Sequence, residues 1–557
     1  MFLYPDFFTM TKKGLFSLAI LFLFLYIVSL NVRPVVTPDE TRYGEISREM
    51  LDTGDFIVPR LDGLRYFEKP VLGYWLNAAS MALFGDNGFA IRLPSALAVG
   101  LTALILFLVV KRFHGCDKAA LLSAFIYMTF MEVYGVGTFC ALDSLLTFFL
   151  AAALGCFFVA GTNKSVRHRN VWLLLCGVFC GAAFLTKGFL AFVLPALTVI
   201  PFLLWERRGR ELFTLLWLPL LSVVAVALPW CLMIASREPD FWHYFFWHEH
   251  VQRFLSAEGG MHNRPFWFLI PFFLAGAFPW ILVIPVAIGQ YKRELLLKPL
   301  VRFCICWMTL SLVFFSASSG KMITYILPCF PPLAALTAIG LTEYFKQDGK
   351  RMFKYCSSSL VIIMGIVIVS LLLIAFTPAL YRRIYGLGEV YKLWYCVCAA
   401  VLCFVIMFKT VLTRDRRWKT VTHGLSAAVI MLAFPFAVPA ENSIHAGMTT
   451  FLRSQQGHIT TDTVLLTDFR SVHAICYVYK RKDAYLFLRK SELGYGLSYP
   501  DSAWRYIDTD GLKKLLNERG KRQIAVIINK TTLSRADITW PDPVYQTVWK
   551  DVYFAVY

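Results

Sequence analysis

Apolar runs of about 20 residues, the length needed to cross a hydrocarbon core, recur along most of the chain. They fall near 14–31, 89–110, 119–136, 143–161, 171–187, 189–205, 213–234, 266–290, 299–316, 324–343, 355–376, 392–408 and 423–440. The pattern predicts thirteen membrane spans. The first run follows Lys12 and Lys13, is longer than a signal-peptide core and lacks a small-residue cleavage site, so it reads as a retained span. Two of the intervening gaps are large, near 31–88 and 235–265. Beyond about residue 440 the pattern changes. Short β-rich runs (Thr463–Thr467, Ile524–Ile528, Val552–Tyr557) alternate with a helix-like run (Gly511–Arg519), which predicts a small α/β domain over 441–557.

Composition agrees with this division. Of 557 residues, 58% are hydrophobic and 16% charged, and mean hydropathy is +0.59, which places the chain among membrane proteins. The formal charge of +19 is no nucleic-acid signature. Residues 441–557 hold 16 Lys/Arg against 12 Asp/Glu, so most of the excess sits in short gaps between apolar runs. Basic gaps begin at Lys111, Lys164, Arg207, Lys292, Lys346 and Lys409 and alternate with acidic or mixed ones. By the positive-inside rule the N-terminus is cytoplasmic and, with thirteen spans, the C-terminal domain lies outside. Cysteine carries no signal: thirteen of the 14 lie at or before Cys403, Cys476 stands alone in the polar region, and no CxxC pair occurs.

Chemistry-bearing residues concentrate in the gaps expected outside. The segment TPDETRYGE (Thr37–Glu45) follows the first span and opens a helix-like stretch, Asp39–Leu51, expected to lie along the membrane surface. Asp39 has two readings there: a helix cap, or a carboxylate at headgroup level available as a base or an anchor. RYFEKP (Arg65–Pro70) puts Lys69 beside Glu68 and Tyr66, where a lone interfacial lysine would read as a snorkelling anchor. FWHEHVQRF (Phe246–Phe254) mixes histidines with aromatic residues, and histidines at i and i+2 do not share a helix face. The apolar runs are nearly free of ionisable residues, which disfavours a transporter or flippase.

Taken in order, TPDETRYGE, RYFEKPVLGYW, ALDS (Ala141–Ser144), TKG (Thr186–Gly188), FWHEHVQRF and SGKMITYILPCFPPLA (Ser319–Ala334) resemble the GT-C membrane glycosyltransferases related to protein O-mannosyltransferases. The resemblance is closest to the lipid A 4-amino-4-deoxy-L-arabinose transferases. It implies a polytopic α-helical membrane protein with a GT-C catalytic region over 1–440 and a C-terminal periplasmic α/β domain. The implied reaction, in the bacterial inner membrane, moves the sugar from undecaprenyl phosphate to lipid A by inverting displacement, in a monomer surrounded by membrane lipids.

The same resemblance assigns residues. Asp39 and Asp143 are the implied catalytic acids. Arg42, Lys69, Arg253 and Tyr325 are implied to surround the carrier phosphate, with Lys187 and Lys321 as further cations, and Glu40, Tyr43 and Tyr66 line the substrate. Glu68 and His248 are the implied ligands of a divalent ion, zinc by family. The chemistry is coherent, because cations fixed at a partly desolvated interface stabilise the charge left on a departing phosphate.

Overall fold

The computed structural model describes residues 5–252, 264–347, 351–439, 443–517, 522–536, 538 and 540–557. It forms two compact units. The first comprises Met1–Leu30, Arg92–Phe376 and Trp394–Phe436, and the second Asn31–Ile91, Thr377–Leu393 and Ala437–Tyr557.

The first unit is helical. Among the described residues of the chain, nine helices are long and apolar enough to cross a membrane, or eleven if each of two bent pairs counts as one span. By length and composition, up to eleven of the thirteen expected spans stand out among these residues. Of the other two segments, Leu190–Trp205 is a helix of only 16 residues, and the first run falls on Pro5–Phe22 continued by a π-helical turn, Leu23–Ile27. The bends have local causes. Phe130 takes an extended conformation between Asp117–Met128 and Met131–Gly137, which bends that pair by 60°. Pro279 stands in the break between Phe266–Gly276 and Trp280–Ile288, bent by 104°.

Burial separates central helices from peripheral ones. In Ile323–Lys346, 83% of the apolar window is buried, against 11% in Arg351–Phe376. The latter exposes Ile362, Ile366, Val369 and Leu373, apolar surface of the kind lipid covers. Val166–Lys187 packs on Trp217–Arg237 through Gly177 and Gly181, four residues apart. A Cβ at Gly177 would stand 2.2 Å from the carbonyl oxygen of Pro219. This is the small-residue spacing that lets two helix backbones approach in a membrane.

The second unit contains a six-stranded mixed sheet. After the short hairpin β1 (Arg60–Leu61) and β2 (Leu64–Arg65), its strands are β3 (Val464–Thr467), β4 (Tyr485–Phe487), β5 (Tyr506–Ile507), β6 (Ile524–Asn529), β7 (Tyr545–Trp549) and β8 (Val552–Val556), in the order β5-β4-β3-β6-β8-β7. β5, β4, β3 and β6 run parallel, while β8 and β7 are antiparallel. β6 reads IAVIIN and is buried throughout, as a strand covered on both faces should be. The expected strands and the expected helix (here Thr509–Asn517) are all present.

Residues 31–91 belong to this unit, with the helices Asp39–Thr53 and Leu72–Phe84 on either side of the β1–β2 hairpin in sequence. The helix Asp39–Thr53 does not present a simple apolar face: it buries Glu40, Glu45, Arg48 and Glu49, and Arg48 pairs with Glu45 through two bonds and with Asp52. Ion pairs within the helix itself, at i,i+3 and i,i+4, satisfy Glu45 and Arg48. The β1–β2 hairpin turns at Asp62–Gly63, with φ of 56° and 80°, the conformation that Asp-Gly turns favour. A Cβ at Gly63 would lie 2.6 Å from the carbonyl oxygen of Lys482.

Gly54 also has positive φ (70°), but a Cβ there meets nothing within 4 Å. Gly54→Ala should therefore cost about 1 kcal/mol for backbone conformation alone. Gly63→Ala, which adds a clash with fixed backbone, should cost more than about 2 kcal/mol. Thermal unfolding of the two purified variants in detergent checks the order.

Candidate active site

The implied site residues divide between the two units. In the second unit Pro38 occupies the N-cap of Asp39–Thr53 and no side chain caps the helix, so Asp39 is not a cap. Its side chain is 41% exposed in the first turn, where the helix dipole favours a carboxylate. One helical turn on, Arg42 places Nη1 3.4 Å from Asp39 Oδ1 and donates from Nη2 to Glu492 Oε1 at 2.8 Å. Its Nε is buried and, among the described residues, meets no acceptor. Burial opposes the Arg42 charge, but the fields of Tyr66, Glu492, Glu68 and Asp39 outweigh it and hold the guanidinium ionised.

Tyr66 is buried, and burial with the Glu68 charge pushes its hydroxyl well above the ordinary tyrosine range. Lys69 donates to the carbonyl of Glu68 at 2.7 Å and stands 4.0 Å from that residue's carboxylate. Tyr43 packs against Tyr74 at 6.1 Å. Glu40 is fully buried, accepting two bonds from Arg33 (2.9 and 3.1 Å) and one from the Val36 N–H. It ties down the chain before the helix, so its carboxylate is engaged structurally.

In the first unit Asp143 and Lys187 form one buried pair. Asp143 lies in the first turn of Leu142–Thr162, and Lys187 ends Val166–Lys187. Their atoms are 2.5 Å apart, and each sits at the helix end that favours its charge. The Lys187 ammonium also lies 4.4 Å from the centre of the Tyr325 ring, a cation–π contact. These three were singled out separately, and the fold assembles them. Lys321 donates to the carbonyls of Arg264 (2.8 Å) and Ser318. His248 is exposed on a π-helical segment, His243–Gln252, beside the rings of His243 and Tyr244. Arg253 lies outside the described residues. Glu68 belongs to the second unit and His248 to the first. Both are donor types that zinc takes, and among the described residues no group of three or more His, Cys, Asp or Glu could hold a metal ion.

Sequence reasoning found no candidate in the C-terminal domain, yet Arg42 rests on one. The Glu492 oxygen that receives Arg42 also accepts from His473 Nε2 at 2.8 Å, and His473 Nδ1 donates to Asp62 Oδ2 at 2.7 Å. Burial would lower the His473 pKa, but Asp62 and Glu492 raise it to about 9. Burial likewise opposes the Glu492 charge, and His473 and Arg42 overcome it, holding that carboxyl well below its usual range. Close by, burial and mutual repulsion push Glu45 and Glu49 upward. The signal for His473 was a lone histidine within an apolar helical run, VHAICYVY.

Comparison with known proteins fits this geometry. The model of the dolichyl-phosphate-mannose-protein mannosyltransferases matches residues 12–245, and that of the arabinosyl transferase ArnT C-terminal domain matches 448–553. An undecaprenyl phosphate-alpha-4-amino-4-deoxy-L-arabinose arabinosyl transferase of Aeromonas hydrophila is 37% identical over 94% of both chains. One from Pectobacterium atrosepticum is 38% identical over 94% of both. The chain belongs to this arabinosyl transferase family. Its fold matches the crystal structure of ArnT from Cupriavidus metallidurans bound to undecaprenyl phosphate, with a TM-score of 0.83, 22% identity and 98% of each chain covered. The arabinosyl transferase fold is thus a polytopic helical membrane fold of GT-C type with a C-terminal α/β domain.

Two expectations follow. Lys187→Met strands a buried carboxylate and should cost about 3–5 kcal/mol, whereas adding Asp143→Asn should recover much of the loss. Thermal unfolding of the two variants checks this. A histidine whose pKa is raised in the fold contributes stability that is complete below its ordinary value, about 6.5, and is lost as pH rises through about 9. The melting temperature should therefore fall between pH 7 and 10, and His473→Gln should flatten that slope.

Proposed function

We propose that the chain transfers 4-amino-4-deoxy-L-arabinose from undecaprenyl phosphate to lipid A at the outer face of the inner membrane. The observation that carries this reading is the Asp39–Arg42 turn: an exposed carboxylate one helical turn from a charged guanidinium whose Nε meets no acceptor among the described residues. That pairing suits a phosphate joined to a polar sugar. Relatives named for the same donor, at 33–38% identity, support the substrate.

An oxygen of the acceptor phosphate attacks the anomeric carbon and forms the new glycosidic bond. The bond from that carbon to the carrier phosphate breaks, and undecaprenyl phosphate leaves with the electron pair, inverting the centre. Arg42 and Lys69 stabilise the leaving charge, since a guanidinium can offer paired hydrogen bonds to phosphate oxygens. Lys187, Lys321 and Arg253 are the further cations of this reading, with Tyr325 beside the Lys187 ammonium and Asp143 as the second acid. The attacking phosphate is already ionised, so Asp39 orients the sugar ammonium or the acceptor and takes no proton. Tyr43 and Tyr66 line the substrate.

Orientation has a second support. Residues 31–91, 377–393 and 437–557 fold as one compact unit and must lie on one side of the membrane. The positive-inside rule assigns that side to the periplasm.

Asp39→Asn should abolish transfer while leaving expression intact, and full activity in that variant would sink the mechanism. Lipid mass spectrometry of cells with and without the protein tests the reaction. An aminoarabinose increment on lipid A is expected; an increment on protein hydroxyls, the acceptor named in the mannosyltransferase family, would replace lipid A in the scheme.

A further inference from the structure

We propose that His473 is a positioning residue for transfer: through Glu492 it fixes the Arg42 guanidinium that receives the carrier phosphate, which makes the C-terminal domain part of the transfer machinery. The proposal rests on the reading of Arg42 given above.

The geometry is a line of alternating charges within one unit. Asp62 Oδ2, the His473 ring, Glu492 Oε1, Arg42 and Asp39 Oδ1 follow in sequence, linked at 2.7, 2.8, 2.8 and 3.4 Å. Both ring nitrogens of His473 face carboxylate oxygens, and a neutral imidazole can donate to only one of them. The arrangement is therefore complete only with the imidazolium. Its far end is anchored: Asp62 sits in the tight Asp-Gly turn, and its carbonyl accepts from Arg505, which also donates to the carbonyl of Ala484. From Asp62 to Arg42, rotation of any one side chain breaks a bond to an oppositely charged partner.

The relay gives Arg42 two properties. A single acceptor at Nη2 sets the plane of the guanidinium, and so the direction of the remaining donors. That acceptor, Glu492 Oε1, is shared with a second cation, so its negative charge does not fully cancel the arginine. A lone carboxylate on Arg42 would be a competing anion. A carboxylate already satisfied by an imidazolium holds the guanidinium in place and leaves its field available to phosphate.

The test is steady-state kinetics of the full-length protein in proteoliposomes, with undecaprenyl-phosphate aminoarabinose and lipid A varied separately. Each variant is used only where it remains monodisperse. His473→Gln and Glu492→Gln should each raise the donor KM on the order of tenfold, with the acceptor KM unchanged. Glu492→Asp, which keeps the charge, should recover part of the loss. In an Arg42→Ala background, itself raised in donor KM, His473→Gln should add nothing. If Arg42→Ala raises donor KM while the His473 and Glu492 variants do not, the relay is wrong and the phosphate reading stands. If Arg42→Ala leaves donor KM unchanged, the phosphate reading falls and the relay with it. Equal rises in donor and acceptor KM, additive with Arg42→Ala, would mean a merely structural histidine and overturn the proposal.

Discussion

A charge buried in protein must meet its counter-charge, and in the second unit the counter-charges come from opposite ends of the chain. Arg42 and Glu492 are 450 residues apart, Asp62 and His473 are 411 apart, and Arg505 reaches the carbonyl of Asp62 across 443. Removing one partner leaves the other in a low-dielectric interior, a costlier state than either fully paired or fully apolar. The first-loop helix is therefore held by the Arg42–Glu492 pair as well as by its buried Ile46 and Met50. The same constraint governs the first unit in simpler form, where Asp143 and Lys187 complete one another at the favourable ends of two helices.

The two units divide the physical tasks of the molecule. The first supplies apolar surface and close helix packing, with a peripheral helix such as Arg351–Phe376 left mostly uncovered by protein. The second supplies polar positioning, with a sheet whose central strand is wholly buried and a hairpin turn pressed against backbone at Lys482. Phosphate chemistry needs both. Charges must be fixed before the substrate arrives, and water must be scarce where they act.

Much of this could be read from the chain. Apolar length located each helix long and apolar enough to cross a membrane, because crossing a hydrocarbon core is a requirement on sequence alone. Two of the expected spans are marked less sharply, since Leu190–Trp205 has 16 residues and the first run falls on a helix with charges in its early turns. Alternation and β-rich composition located β3, β6 and β8. Asp39, Arg42, Asp143, Lys187 and Tyr325 stood out through ordered motifs, yet their partners did not. Pairing between Asp143 and Lys187 is set by packing of Leu142–Thr162 on Val166–Lys187, which no local pattern encodes. Glu492 and His473 carry no periodic or motif signal, and only the fold brings them to Arg42. Glu40, inside the strongest motif, turned out to hold Arg33, because adjacency in sequence does not tell a reactive carboxylate from a structural one.

The Asp-Gly hairpin also sets an order of events in biosynthesis. Asp62 is made long before its partner, and at about 5–20 residues per second the ribosome needs roughly 20–80 s to traverse the 411 positions to His473. Throughout that interval Asp62 lacks the His473 imidazole that faces it and Arg42 lacks Glu492, while most of the apolar helices are being inserted. The second unit therefore closes last, and closure needs every intervening span to have been inserted in the correct sense. Missing a single crossing between them would leave Asp62 and His473 on opposite faces of the membrane. Formation of the ion chain therefore requires Asp62 and His473 to reach the same face of the membrane.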